Sequence, residues 1–365
     1  MAAVPLERII KAAVERGASD IHIKAGDLFR ARIDGKLVPL TRQRLSPEQT
    51  RAIALRLMTT DEDRARLDAL KDYDCSWGLP GVGRFRVNVL RQRSSFMIVM
   101  RVIPFAVPDL EHLNLPPILA RLTEPTSGLI LIAGVTGSGK SSTIAAMLHH
   151  MNQGQHRHVL TIENPIEFLH RDLSCSMTQR EVGVDTDSVG VGLRAALRQD
   201  PDVIVVGELR DQETMAYAVK AAETGRLVLT AVPAPDVTST VGLVYSMMPA
   251  DEGEIGRFRL SESLLAIVAQ QLLPRADGAG RVPAVEILIS TPEVREALRD
   301  PARLRELRSL MAEGHGRTGM QTFQQHAEEL AADGIIAPGT ARALGAVGAG
   351  PKGAPLPPRA KGSAG

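Results

Sequence analysis

A glycine-rich loop that opens a helix is the pattern with the clearest chemistry in this sequence. Residues 134–141 read Gly-Val-Thr-Gly-Ser-Gly-Lys-Ser and fit the phosphate-binding pattern GxxxxGK(S/T) at every fixed position. Glycines let successive backbone N–H groups turn inward around phosphate oxygens at the N-terminus of a helix. We expect Lys140 to reach the β- and γ-phosphates of a nucleotide and the Ser141 hydroxyl to bind Mg²⁺. The expected nucleotide contacts are Gly134, Thr136, Gly137, Ser138, Gly139, Lys140, Ser141 and Ser142.

Two glutamates follow apolar segments that have the composition of buried strands. Glu163 comes directly after residues 158–162, and Glu208 comes directly after residues 202–207. A carboxylate beside a phosphate loop can hold Mg²⁺ through water or polarise an attacking water molecule. Either glutamate alone could instead cap a helix or form a salt bridge. The two together with the glycine-rich loop favour a site that hydrolyses a nucleotide, with Glu208 as the second candidate for holding the metal.

The segments that must position these residues alternate between strands and helices. An apolar run at 129–133 precedes the loop and helix-forming residues at 142–151 follow it. Further strands are predicted at 158–162, 202–207, 227–232 and 282–289, and further helices at 191–199 and 214–223. This alternation predicts a parallel sheet covered on both faces, with the ligand at the carboxyl ends of the strands. Pro283 places the last strand at an edge.

The first hundred residues have a different pattern, in which helices and antiparallel strands are mixed. We predict a helix at 6–16, a half-buried strand at 19–23, a hairpin at 30–40 that turns at Asp34-Gly35, a helix that opens at Ser46, and strands at 84–89 and 96–103. The predicted organisation is an N-terminal α+β domain at 1–103, a proline-punctuated linker at 104–126, a parallel-sheet core at 127–290, a helical region at 291–344 and a disordered tail at 345–365.

Three arginines lie on the strand faces of the N-terminal domain. Arg84 and Arg86 share one face of the strand at 84–89, and Arg101 lies on the return strand. A solvated strand face is one explanation for each of them. The other is an arginine finger that reaches the γ-phosphate of a neighbouring subunit, because guanidinium stays charged and binds phosphate in a bidentate manner.

Composition excludes several classes of protein. The chain has 365 residues, which favours two domains, and its 43 Lys+Arg against 42 Asp+Glu leave a net charge of +1. This balance and an aromatic content of 3% argue against a nucleic-acid-binding protein. Cys75 and Cys175 form neither a disulfide framework nor a CxxC zinc site, which indicates a reducing compartment. No signal peptide or run of about 18 apolar residues is visible, so we expect a cytoplasmic protein.

Several spaced motifs together resemble one family. They are Ala18–Ile23, residues 134–143 as a Walker A motif, residues 161–168 as an aspartate box, residues 179–183 as a glutamine-arginine-glutamate motif, and residues 196–211 as an atypical Walker B motif. In this order they resemble the secretion ATPases of type II secretion and type IV pili, most closely the PilT-like twitching-motility (pilus retraction) ATPases. The absence of a paired-CxxC insertion favours this branch over the assembly and secretion branch.

The resemblance implies a PAS-like N-terminal domain followed by a RecA-like P-loop ATPase domain in a homohexameric ring. It implies that ATP and Mg²⁺ lie between the domains and adjacent subunits, and that Arg84 and Arg101 reach the nucleotide in trans. Glu163 and Glu208 would share the activation of water and the organisation of the metal. The motor would act through an inner-membrane platform protein, which gives it a peripheral position at that membrane.

The chain departs from the family pattern at three positions. Asn164 replaces an aspartate of the aspartate box, and Arg226 and Pro233 replace the two histidines of the histidine box. Asn164 keeps a hydrogen-bonding shape, Arg226 offers a phosphate contact, and Pro233 removes both an imidazole and a backbone donor. Nucleotide binding should survive, whereas each lost polar contact can cost about a hundredfold in hydrolysis rate. These departures favour, as an alternative to a pilus retraction ATPase, a hydrolysis-impaired regulatory paralogue that assembles with an active pilus ATPase. A nucleic-acid translocase is a third possibility, which the fold permits.

Overall fold

The computed structural model describes residues 5–33, 35–103, 107–248, 253–278 and 280–348. Within these residues the chain forms two β-sheets, one built from residues 20–103 and one from residues 128–289. The N-terminal sheet has one large cluster of buried apolar side chains on it, whereas the second sheet has separate clusters on its two faces. The mixture of helices and sheets that the sequence predicts is therefore confirmed.

The N-terminal sheet is antiparallel and has six strands in the order β3-β2-β1-β6-β5-β4. Its strands are β1 (Asp20–Lys24), β2 (Arg30–Ile33), β3 (Lys36–Pro39), β4 (Asp72–Leu79), β5 (Gly83–Gln92) and β6 (Ser95–Ile103). Helices α1 (Leu6–Glu15) and α2 (Pro47–Leu57) pack on one face, and the short helix α3 (Asp61–Arg66) follows α2. Phe85 and Val87 of β5 are fully buried against these helices, so Arg84 and Arg86 lie on the opposite face.

Local sequence signals explain where the first helices begin and end. Helix α1 ends before Gly17, whose φ of 74° is a left-handed conformation that glycine adopts without strain. Helix α2 begins after Ser46, whose hydroxyl accepts a hydrogen bond from the Gln49 N–H while the Gln49 side chain accepts one from the Ser46 N–H. Both helices are confirmed. The predicted turn residue Asp34 lies outside the described residues.

The second sheet has seven strands in the order β13-β12-β7-β11-β10-β8-β9. Its strands are β7 (Gly128–Ala133), β8 (His158–Glu163), β9 (Ser176–Glu181), β10 (Val203–Val206), β11 (Leu227–Val232), β12 (Leu264–Pro274) and β13 (Arg281–Ile289). All of its strand pairs are parallel except the pair of β12 and β13. The predicted parallel arrangement is confirmed for β7, β8, β10 and β11, but it is wrong for β13, which forms an antiparallel hairpin with β12. The edge position predicted from Pro283 is confirmed.

Helices cover both faces of this sheet, as predicted. The helices are α4 (Ile118–Arg121), α5 (Lys140–Gly154), α6 (Val189–Ala196), α7 (Gln212–Glu223), α8 (Val237–Ser246), α9 (Gly253–Ser263), α10 (Pro292–Arg299), α11 (Leu307–Gly314), α12 (Phe323–Ala332) and α13 (Pro338–Gly348). Leu129 and Leu131 of β7 pack in the cluster with α6, α7 and α8, whereas Ile130 and Ile132 pack in the cluster with α5. Strand β7 is thus buried on both faces, which explains its unbroken apolar sequence.

The remaining predictions concern the linker and the tail. Residues 104–106 lie outside the described residues, and the expected short helix inside the linker is α4. Helix α13 ends at Gly348, so the first residues of the predicted disordered tail are helical, and residues 349–365 lie outside the described residues. Among the residues that the structure describes, no helix has the length and apolar character needed to cross a bilayer.

Candidate functional site

The glycine-rich loop follows the carboxyl end of β7, an interior strand of the second sheet, and leads directly into α5. A Cβ atom at Gly134 would lie 2.2 Å from Ser138 Oγ and 2.7 Å from the Gln270 carbonyl oxygen, so only glycine fits there. Gly139, which caps α5, has a φ of 93°, a left-handed conformation that glycine favours. The loop therefore presents backbone N–H groups at a helix N-terminus, the arrangement that binds phosphate.

Lys140 is the first residue of α5 and is 9% exposed. Its ammonium group donates hydrogen bonds to the carbonyl oxygens of Gly134 at 2.7 Å and Val135 at 3.3 Å. Burial lowers the pKa of Lys140, and the charges of Glu208 and Glu167 act in the opposite direction. Phosphate oxygens in the loop would offer this buried ammonium charged acceptors in place of two carbonyls, so the residues present fit a bound nucleotide.

The Gln270 side chain supports the loop from the neighbouring strand β12. It is 1% exposed, donates from Nε2 to the Ser138 carbonyl oxygen at 2.6 Å and accepts from the Thr143 hydroxyl at 2.8 Å. Sequence reasoning missed this residue, because neither strand β12 nor its pairing with β7 was predicted. The contacts join the loop and the first turn of α5 to the sheet, which fixes the shape of the phosphate-binding site.

Glu163 ends strand β8, and its carboxylate lies in an enclosed environment. The Thr161 hydroxyl donates to Glu163 Oε1 at 2.6 Å, and the Gln179 amide donates to the same oxygen at 3.1 Å. Burial raises the pKa of Glu163, and the two hydrogen bonds oppose part of that increase. A carboxylate with a raised pKa at the carboxyl edge of the sheet can accept a proton from water.

Glu208 follows strand β10 and lies next to the end of β8. A Cβ atom at Gly207 would lie 3.4 Å from the Glu163 Cα, so the two predicted glutamates are brought to the same edge. The Glu208 carboxylate forms a salt bridge with Arg210 at 2.5 Å, and its negative charge acts to raise the pKa of Lys140. Glu167, a second carboxylate near Lys140, was not predicted, although it lies within the aspartate box.

The predicted metal ligands provide oxygen atoms at this edge. Ser141 is half-buried in the first turn of α5, and Glu208 has a partly exposed carboxylate. The described residues hold no cluster of three or more histidine, cysteine, aspartate or glutamate side chains that could bind a metal ion. One hydroxyl and one carboxylate fit Mg²⁺, which usually keeps several waters and binds substrate phosphates, rather than a metal held by protein ligands alone.

The structure gives the two predicted arginines partners within their own chain. Arg84 Nη2 lies 3.0 Å from Glu181 Oε2, and the Glu181 side chain is only 5% exposed. Strand register places Glu181 directly opposite Glu163, so Arg84 lies close to the predicted catalytic carboxylate. The Arg101 side chain is 71% exposed and donates to Asp20 at 3.1 Å. Arg84 is thus near the site within one chain, whereas Arg101 contacts Asp20 of the N-terminal sheet.

The two histidine-box positions lie at opposite ends of strand β11. Pro233 follows the strand and is exposed, and the Gly134 N–H donates to the carbonyl of the preceding Val232, so Pro233 lies beside the glycine-rich loop. Arg226 precedes the strand, next to the start of β7. Six residues of strand separate it from the loop, a distance of about 20 Å at roughly 3.3 Å per residue. The prediction that Arg226 contacts phosphate is therefore wrong for the loop of its own chain.

Comparisons with known proteins place the chain in a family. The profile of the family described as "Type II/IV secretion system protein" matches residues 3–333. The chain belongs to this family. It is 40% identical to the type IV pilus ATPase PilU of Pseudomonas aeruginosa over 332 residues, which are 90% of this chain and 86% of PilU. It is 39% identical to the type IV pilus retractation ATPase PilT of the same organism over 337 residues, 92% of this chain and 97% of PilT.

Two solved structures with similar sequences have the same overall fold. The crystal structure of the pilus retraction motor PilT with bound ADP is 41% identical, has a TM-score of 0.82, and the match covers 93% of this chain and 96% of that one. The ATPase DotB of Legionella pneumophila is 29% identical, with a TM-score of 0.81 and coverage of 95% and 96%. The family resemblance that the sequence motifs carry is confirmed.

Proposed function

We propose that this chain is a Mg²⁺-dependent ATPase that works as a homohexameric motor and powers type IV pilus retraction and twitching motility. The observation that carries the proposal is the convergence of the glycine-rich loop, Lys140, Glu163 and Glu208 at one edge of the second sheet. The similarity to PilT and PilU, both described as type IV pilus ATPases, supports the pilus role. The ADP bound in the PilT crystal structure supports a nucleotide ligand.

The geometry supports a direct attack of water on the γ-phosphate. Backbone N–H groups of the loop and the Lys140 ammonium would bind the phosphates, and Lys140 would exchange its bonds to Gly134 and Val135 for phosphate oxygens. Glu163 would accept a proton as the water oxygen bonds to the γ-phosphorus. The bond between that phosphorus and the bridging oxygen breaks, and its electron pair leaves with ADP. Mg²⁺ held by Ser141 and, through water, by Glu208 would neutralise charge on the phosphates.

The proposal assigns each part of the chain a role in the ring. Residues 1–103 would form a PAS-like domain and residues 127–290 a RecA-like ATPase core, joined by a linker at 104–126 that allows one to move on the other. ATP would lie between adjacent subunits, where Arg84 and Arg101 reach it in trans. Arg84 would then have to leave Glu181, its partner within the single chain. Force would act on an inner-membrane platform protein, which keeps this cytoplasmic motor peripheral to the membrane, and we expect no nucleic-acid partner.

A second candidate function is a regulatory paralogue that binds ATP, hydrolyses it poorly and assembles with an active pilus ATPase. The specific observation in its favour is Pro233, which is exposed beside the loop at the position where the family has a histidine. Proline offers neither a side-chain donor nor a backbone N–H at that point. The glycine-rich loop is complete, so we expect a regulatory paralogue to bind nucleotide without fast turnover.

Steady-state ATP hydrolysis by the purified full chain tests the proposal. We expect turnover by a hexamer, loss of ATP binding in Lys140→Ala, and loss of turnover with retained binding in Glu163→Gln. ATP binding without turnover in the intact wild-type oligomer would instead support the regulatory paralogue, whose mixture with an active homologue should form a joint complex. Salt-sensitive tight binding of DNA would contradict both readings.

A further inference from the structure

The register of strands β8 and β9 places four polar side chains on one face at the end of the sheet. Thr161 lies directly opposite Gln179, and Glu163 lies directly opposite Glu181. Because side chains two residues apart on a strand point to the same face, Thr161, Glu163, Gln179 and Glu181 share that face. The opposite face of β8 carries Leu160 and Ile162, which are fully buried apolar residues.

Both neighbours donate to the same oxygen of Glu163. The Thr161 hydroxyl lies 2.6 Å and the Gln179 amide nitrogen 3.1 Å from Oε1, and neither hydrogen bond uses Oε2. The backbone N–H of Glu167 also approaches the carboxylate, with a smaller effect on its pKa than the two side chains have. Two donors on one oxygen fix the plane of the carboxylate, so the direction in which Oε2 points is determined by the sheet rather than by the freedom of a glutamate side chain.

Gln179 is itself held in one orientation. Its Oε1 accepts a hydrogen bond from the His170 N–H at 2.8 Å, and its Nε2 donates to the Phe168 carbonyl oxygen at 2.9 Å as well as to Glu163. Rotating the amide by half a turn would place nitrogen against an N–H donor and oxygen against two acceptors, so these contacts define which end is which. Thr161 is equally constrained, since it is fully buried in strand β8.

We propose that Thr161 and Gln179 are positioning residues that anchor Oε1 of Glu163 and thereby aim Oε2 at the water that attacks the γ-phosphate. This inference rests on the ATPase activity proposed above. The charged groups around Glu163 come from four parts of the chain. They are Glu167 in the loop after β8, Glu181 on β9, its partner Arg84 on β5, and Glu208 after β10. None of these provides the two donors that fix Oε1.

The anchoring role has a kinetic signature that a purely structural role lacks. Loss of a donor should leave nucleotide affinity unchanged, because the phosphate loop is untouched, and lower kcat, because the base is no longer aimed. It should also move the acid limb of the kcat profile to higher pH. The base works when deprotonated, and the two donors now lower its pKa, so removing one raises the pKa and protonates the base earlier as the pH falls.

The test uses the full-length wild-type oligomer and four variants. Thr161→Val and Gln179→Met each remove one donor at nearly constant volume, and Thr161→Ser keeps the hydroxyl. Thr178→Val is the matched control, because Thr178 lies on β9 between Met177 and Gln179, and its hydroxyl contacts His158 instead of Glu163. The measurements are kcat and KM as a function of pH, the dissociation constant for a fluorescent ATP analogue, and the urea midpoint of each variant.

We expect kcat to fall about tenfold to a hundredfold in Thr161→Val and Gln179→Met, within the range of a misplaced general base. Affinity should change less than about twofold, and the acid limb should move to higher pH, while Thr161→Ser and Thr178→Val behave as wild type. An unchanged kcat and acid limb in a folded Thr161→Val variant would overturn the inference, even if Gln179→Met failed to fold. Lack of turnover in the wild-type oligomer would overturn the ATPase proposal and this inference together. An active wild type whose folded Thr161→Val and Gln179→Met variants keep the wild-type kcat and acid limb would overturn only the inference.

Discussion

Replacing Gln270 by leucine should loosen the phosphate-binding loop without touching the nucleotide contacts themselves. Leucine has similar bulk, but it leaves the Ser138 carbonyl without its 2.6 Å donor and the Thr143 hydroxyl without its 2.8 Å acceptor. Thr143 and Gln270 are each 1% exposed, so water does not replace these bonds. An unsatisfied buried polar group costs about 1–3 kcal/mol, which gives about 2–6 kcal/mol for the two together.

Equilibrium urea unfolding and nucleotide titration measure the two parts of this effect. We expect the variant to lose stability by this amount and, where about 1.4 kcal/mol of the loss falls on the loop, to bind ATP about tenfold more weakly. The matched control is Gln271→Leu, the same substitution at the next, half-buried position of β12. Equal stability and equal ATP affinity in Gln270→Leu and wild type would refute the idea that β12 holds the loop in place.

Two further substitutions test the surroundings of the site. Pro233→His should raise kcat, by up to about a hundredfold, because it restores a polar side chain beside the loop; an unchanged rate, or an equal gain in the exposed control Pro235→His, would show that this position does not limit hydrolysis. Arg84→Met should lower the free energy of unfolding by about 3 kcal/mol, because it leaves the Glu181 carboxylate buried without its partner. Denaturation beside the exposed Arg86→Met variant measures the difference, and equal stability of the two variants would contradict a structural role for the ion pair.

Sequence patterns could predict those parts of the candidate site that depend on residues contiguous in the chain. The loop pattern, its apolar strand and the following helix are contiguous in the chain, so residues 129–151 could be interpreted without knowing what packs against them. Glu163 and Glu208 could be paired because carboxyl ends of parallel strands meet at one edge. The alternation of charged and apolar residues in β5 likewise separated the face that carries Arg84 and Arg86 from the buried Phe85 face.

The parts that sequence could not predict depend on contacts between distant segments. Strand β12 follows α9 without a turn, so its apolar run carried no boundary signal, and Gln270 in it is 132 residues from its partner Ser138. The pairing of β8 with β9 is equally non-local, and it determines that Gln179 contacts Glu163. The ion pair of Arg84 and Glu181 joins residues 97 positions apart. The charge pattern of β5 does not show which carboxylate forms an ion pair with Arg84.

The most direct test of the central claim is the steady-state ATPase rate of the purified wild-type oligomer beside Glu163→Gln, with ATP affinity measured on the same samples. Glutamine keeps the shape of the side chain and the phosphate loop keeps its contacts, so both proteins should bind ATP equally well. We expect measurable turnover in wild type and loss of turnover in Glu163→Gln. Turnover by Glu163→Gln at the wild-type rate would contradict the assignment of Glu163 as the base.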